Sequence, residues 1–107
     1  MNLAEYQRLA RRTQNSELSP RCMLEHALWG LTAEVGEVCS LHQKQHQGHA
    51  LSKETLQKEI GDVLWFLGEL CDVYGFNLND IAEKNIEKLR KRYPEGFTSE
   101  RSIHREV

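Results

Sequence analysis

Proline is scarce here, with two in 107 residues, and no stretch alternates apolar and polar side chains for the length of a half-buried strand. Both absences argue against a β fold and for long helices. The three cysteines, Cys22, Cys39 and Cys71, are an odd number with no CxxC spacing. They point away from a disulfide scaffold and towards reduced thiols in an intracellular, cytoplasmic setting. The opening "MNLAEYQRLARR" lacks the apolar block of a signal peptide. Acids or glycines interrupt every apolar segment before the roughly 18 residues needed to span a bilayer, so no membrane partner is expected. Charge of one sign is also lacking: 14 basic residues stand against 16 acidic ones, with five histidines besides. No global basic field recommends nucleic acid, and no strong acidity suggests a disordered chain. Internal repeats and low-complexity linkers are absent. The simplest organisation is one domain over 1–107, with a core over 21–93 and a tail over 94–107.

Helical patterns fill most of the chain. Residues 2 to about 14 are amphipathic through Leu3, Tyr6 and Leu9, and "NSELSP" breaks the pattern. A second helix is predicted from about Arg21 to Gln47, near Gly48. Ser52 is a candidate N-cap for a third, ending before Gly75; Asn77 can cap a fourth that stops at Tyr93 because Pro94 follows. The tail "EGFTSERSIHREV" shows no helical period. The expected architecture is all-α, a bundle of about four helices with an irregular C-terminal tail.

The stretch "GLTAEVGEVCSL" sets Glu34 and Glu37 among small and apolar residues. Acids at i and i+3 are helix neighbours, and their repulsion costs about 0.2–0.5 kcal/mol even in water. At 100° per residue, Met23, Leu24, Ala27, Leu28, Leu31, Val35, Val38 and Leu41 form one apolar stripe, with Glu34 inside it and Glu37 on its edge. The third helix repeats the arrangement. Leu56, Ile60, Val63, Leu64, Leu67, Leu70 and Tyr74 make its stripe, with Glu59 inside and Asp62 at the edge. Both helices are therefore expected to point an acidic pair towards the core. Burying a lone carboxylate costs several kcal/mol unless it is paired, protonated or bound to metal. Two i, i+3 pairs on facing helices can converge on a hard divalent cation, which takes oxygen ligands. Solvation, or bridging to Lys and Arg of another helix, is the bland alternative.

In "NLNDIAEKNIEKLRKRY" the stripe is Leu78, Ile81, Ala82, Ile86, Leu89 and Tyr93, with Asn85 inside it and Lys88 and Arg92 on its border. Complementing the C-terminal helix dipole explains Arg90 and Lys91. It does not explain an amide and two cations beside the core, which would suit the non-bridging oxygens of a metal-bound polyphosphate.

"GLTAEVGEV", "KEIGDVLWFLGEL" and "NIEKLRKRYPEGF", in that order, resemble the MazG-like nucleoside triphosphate pyrophosphohydrolases of the all-α NTP pyrophosphatase superfamily. The resemblance covers roughly Gly30 to Phe97 and extends more weakly to "YQRLARRT". It implies hydrolysis of a nucleoside triphosphate to the monophosphate and pyrophosphate, with Mg²⁺, or Mn²⁺ in its place, held by Glu34, Glu37, Glu59 and Asp62. It also implies that Lys88 and Arg92 contact phosphate, that Asn85 is a polar position on the same helix, and that the protein is a homodimer or homotetramer. Glu34 and Glu37 are the candidate catalytic acids, with Glu37, at the stripe edge, the choice for general base.

His26 and Trp29 stand before the first acid pair where smaller or aliphatic residues are expected, so base selection can differ. Trp65, on the polar side of the third helix, could stack on a nucleobase or fill a subunit interface. Glu69 lies on the same side as Asp62 and is expected to be solvated or paired rather than a metal ligand. Cys39, His42, His46 and His49 could line one face for zinc, but Gly48 interrupts it and four positions along a straight helix span too far for one tetrahedral ion. A polar helix end or substrate-side loop is the preferred reading there. Two other functions compete with the main one. One is a narrower pyrophosphatase of the dUTP or phosphoribosyl-ATP type; the other is a non-catalytic helical module that binds nucleotides or proteins.

Overall fold

A computed structural model describes residues 1–105. Among the described residues five helices follow one another: α1 (Leu3–Ala10), continued by a tight 3₁₀ turn (Arg11–Thr13), α2 (Pro20–His46), α3 (Lys53–Tyr74), α4 (Leu78–Arg92) and the short α5 (Ser99–Ile103). No β-strand occurs among the described residues. The all-α architecture agrees with the expectation.

Side-chain caps account for the helix starts. Asn2 accepts from the Glu5 amide, Ser19 from Cys22, Ser52 from Thr55, and Asn77 from both Asn79 and Asp80. Each satisfies an amide that the first turn leaves without an intrahelical acceptor. Ser19 and the Pro20 that follows it, expected to belong to the break, in fact open α2, because proline lacks only an N–H that the first turn does not need. Gly75 closes α3 with φ at +71°, the left-handed conformation a side chain resists. The tail departs from the expected irregularity. Thr98 caps the five-residue α5, too short to show a period in sequence; the last two tail residues lie outside the described residues.

The centre of the fold is the antiparallel pair α2 and α3. Contacts climb α2 from His26 through Gly30 to Glu34 while descending α3 from Glu69 through Phe66 to Asp62. At the middle of this ladder the helices approach closely. A Cβ on Gly30 would sit 2.0 Å from Phe66 Cε1, so only glycine leaves room for the ring.

The N-terminal segment is clasped to the far end of α3. Buried Gln7 donates to Asp72 Oδ1 (2.7 Å) and to the Phe76 carbonyl (2.9 Å), while its own Oε1 accepts from the Leu78 amide at the start of α4 (2.7 Å). Arg11 and Gln14 also donate to Asp72, at 2.6 and 2.5 Å. Burial by itself would push the Asp72 carboxyl up, but hydrogen bonds from Arg11, Gln7 and Gln14, with the charge of Arg11, outweigh it and hold the group below the usual carboxylate range.

The apolar stripes do not make a closed core within one chain. Among the described residues the buried apolar ones are Ala27, Cys71 and Leu78, whereas Leu28, Val35, Ile60, Leu67 and Tyr74 are 37–54% exposed. The accessible surface is 8193 Å², against about 6,100 Å² for a folded monomer of 12.4 kDa. The radius of gyration is 17.1 Å, against about 13 Å for a compact chain of this length. The expectation that the acid pairs point into a core is corrected accordingly: they lie on a helix pair whose stripe is largely open in the single chain.

Gly30→Ala should lower stability by about 1–3 kcal/mol, because the new methyl displaces Phe66 from a packed position. Thermal melts at fixed protein concentration check this, and adding Phe66→Leu should recover part of the loss. Equal melting of Gly30→Ala and wild type would mean the ring relocates freely.

Candidate metal centre

Two facing helices bring together Glu34 from α2 and Glu59 and Asp62 from α3. One oxygen of each carboxylate lies within 4.8 Å of the others. Glu59 and Asp62 are one turn apart on α3, and the antiparallel pairing sets Glu34 opposite them. Glu34 and Glu59 are half-buried and Asp62 is exposed, so the group opens to solvent on one side.

The Glu34 carboxyl is pushed above the usual range, first by burial, then by a hydrogen bond with Glu59 and by the charges of Asp62, Glu59 and Glu37. Each of these causes disfavours the ionised form. Tyr6, expected only as part of the apolar face of the first helix, reaches the same neighbourhood: its phenol is raised by burial and by the charge of Asp62. An all-oxygen carboxylate set of this kind fits a hard divalent cation, whose charge would reverse the repulsion.

Other predicted residues fall elsewhere. Glu37 is exposed and lies outside the converging group, although its charge is felt at Glu34. Asn85 and Lys88 are exposed, and no ion pair joins Lys88 to the acids among the described residues. Arg92 is half-buried, with its guanidinium carbon 6.0 Å from the Tyr93 ring centre. The α4 helix packs on α1 and α3. A depression of about 620 Å³ runs along α4 between Ala82 and Arg90 and shares no residue with the acids.

Trp65 is half-buried rather than on an open polar side. Its indole N–H donates to Thr13 Oγ1 (2.9 Å), and its ring meets Phe66 edge-on at 4.9 Å. Glu69 is a paired acid, 1% exposed, with Oε1 at 2.5 Å from His26 Nδ1. Sequence reasoning had noted both residues without joining them; the antiparallel register of α2 and α3 was the missing information. The Cys39, His42, His46 and His49 set forms no metal-ligating group among the described residues.

Fold and cluster together define an all-α protein carrying an oxygen-rich carboxylate site on an antiparallel helix pair. The chain belongs to the MazG family: residues 24–97 match the MazG nucleotide pyrophosphohydrolase domain. It is similar to the Gene 37 protein of Mycobacterium phage L5, at 28% identity covering 68% of each chain. It is also similar to the uncharacterized protein YvdC of Bacillus subtilis (strain 168), at 36% identity covering 47% of each. No solved structure matches the chain. No helix among the described residues is long and apolar enough to cross a membrane.

Because the Glu34 pKa is raised on folding, its stabilising contribution is present at low pH and lost as pH rises through the folded value. With chelator at neutral pH, Glu34→Gln should therefore melt above wild type, and the difference should shrink as pH falls through the carboxylate range. Excess divalent cation should reverse the order, since a hundredfold excess over Kd stabilises wild type by about 2.7 kcal/mol. Melting curves over pH, with chelator and with Mg²⁺, check both.

Proposed function

We propose that this protein hydrolyses a nucleoside or deoxynucleoside triphosphate to the monophosphate and pyrophosphate, with water attacking the α-phosphorus. The observation that carries the reading is the meeting of Glu34, Glu59 and Asp62 within 4.8 Å on two antiparallel helices, in a chain of the MazG nucleotide pyrophosphohydrolase family. The carboxylate donor set favours Mg²⁺, with Mn²⁺ as a substitute. When bound, such a cation neutralises phosphate charge and lowers the pKa of a water. Glu34, Glu59 and Asp62 are the residues that would hold it. Glu37, one turn along α2 and exposed, is assigned either to complete the ligand set or to accept the proton of the attacking water. Asn85, Lys88 and Arg92 are assigned to the non-bridging phosphate oxygens, where cations and an amide donor bind strongly.

The working assembly is a homodimer or homotetramer. Support comes from a surface roughly 2,000 Å² larger than a compact monomer would have, enough for a standard interface. Leu28 and Val35 on α2, and Ile60, Leu67 and Tyr74 on α3, recur at seven-residue spacing and are half-exposed. That is the pattern of a helix-to-helix seam. A second copy packed on this stripe would give the acid-bearing helix pair the apolar cover it lacks alone. Free Cys22 and Cys39 at the surface suit a reducing, cytoplasmic compartment.

Hydrolysis in isotopically labelled water, over a panel of canonical and modified triphosphates with products read by mass, tests the reaction. The label should appear in the monophosphate; orthophosphate as the first product would exclude this chemistry. Glu59→Gln should abolish turnover with helicity retained, and Lys88→Ala should impair turnover more than Lys91→Ala.

For the assembly, sedimentation of the wild type should give two or more chains per particle. Leu67→Glu, which sets a charge in the seam, should shift the mass towards one chain. A monomeric wild type would remove the interface.

A further inference from the structure

Glu69 is the largest fully buried side chain among the described residues, 1% exposed, and the centre described above does not use it. Its hydrogen bond runs to His26, 2.5 Å from Nδ1. A buried carboxylate with one imidazole partner fixes that ring: Nδ1 carries the proton shared with Glu69, and Nε2 is left to face outward. The imidazole is 45% exposed, and no hydrogen bond to Nε2 occurs among the described residues. Its orientation is held further by two rings, Phe66 at 5.5 Å and Trp65 at 6.4 Å, the second itself tied to Thr13. Trp29, one turn along α2 towards the acids, is 69% exposed.

This group has a definite relation to the carboxylate cluster. Eight residues of helix separate His26 from Glu34 and seven separate Asp62 from Glu69, so the two lie about 10–12 Å apart along the helix pair. On α2 His26 falls within about 20° of Glu37, and on α3 Glu69 falls within about 20° of Asp62. The oriented imidazole thus sits on the same edge as the open side of the acids. Its distance from them is comparable to the reach of a nucleoside from its α-phosphorus to the far edge of its base.

We propose that His26, positioned by Glu69 and flanked by Trp29 and Trp65, is the residue that reads the nucleobase of the substrate. Nε2 would hydrogen-bond the polar edge of the base, and the indoles would offer it an apolar wall. Glu69 is a positioning residue, since it acts through His26. This inference rests on the pyrophosphohydrolase reading.

The decisive variant is His26→Asn. The Asn amide reproduces the Nδ1 donor to Glu69 but has no atom at Nε2, so the fold should melt like wild type. Steady-state hydrolysis with Mg²⁺ would be measured for dATP, dGTP, dCTP, dTTP and the base-free deoxyribose 5-triphosphate. His26→Asn should raise KM for the preferred nucleotide on the order of tenfold with kcat little changed, and leave the base-free compound unaffected. An unchanged KM profile, or an equal loss on the base-free compound, overturns the inference while the hydrolase reading stands. A lowered melting point with the wild-type KM profile also overturns it, by assigning the pair to structure alone. If the wild type hydrolyses none of the five, nor any ribonucleotide or modified triphosphate of the wider panel, the hydrolase reading fails and this inference fails with it.

Discussion

The close approach of α2 and α3 at Gly30 and Phe66 is the constraint on which the rest depends. With no side chain on Gly30, the Phe66 ring occupies space that a Cβ would fill, and this contact fixes how the two helices slide against each other. From that register follow both polar meetings across the pair: Glu34 with Glu59 and Asp62 towards one end, and His26 with Glu69 towards the other. A shift by one residue would turn Glu34 by about 100° and separate the carboxylates. The acids are thus held together by apolar packing beside them, and the Glu34 carboxyl is raised by burial first and by its acidic neighbours second.

The N-terminal segment reinforces this pair from outside. Asp72 receives Gln7, Arg11 and Gln14, and Gln7 also serves the Phe76 carbonyl and the Leu78 amide, so one clasp joins α1, the α3–α4 turn and the start of α4. Partly buried polar groups satisfied in this way specify geometry, because an altered arrangement leaves several of them unpaired at once. Thr13, in the same segment, anchors the Trp65 indole. The Trp65 side chain on α3 therefore takes its orientation from a part of the chain far away in sequence.

Shape ties these elements to the proposed chemistry. A single chain exposes apolar stripes and has a flattened, open outline, which small helical proteins stabilise by association. A site of carboxylates half-open to solvent on such a pair would gain a lower-dielectric surround on assembly. That would strengthen interactions with a cation and with phosphates. The exposed position of Asn85 and Lys88 on α4 would be intelligible in the same terms if a second copy packed near them.

The sequence by itself determined four of the helices and several of their ends: Ser52 and Asn77 as caps, Gly75 as the stop of α3, and the two i, i+3 acid pairs on the apolar sides of their helices. These are local properties, set by the 3.6-residue period and by the needs of unpaired amides. Tertiary structure alone decided which acids meet. Glu34, Glu59 and Asp62 converge whereas Glu37 stays outside, Glu69 is buried against His26, and α4 packs on α1 and α3. Periodicity gives the direction of a side chain about its own axis, but not how far another helix stands from it or at what height. Those distances came from a missing Cβ at Gly30 and from hydrogen bonds spanning 58 to 71 residues of sequence between the N-terminal segment and residues 72–78.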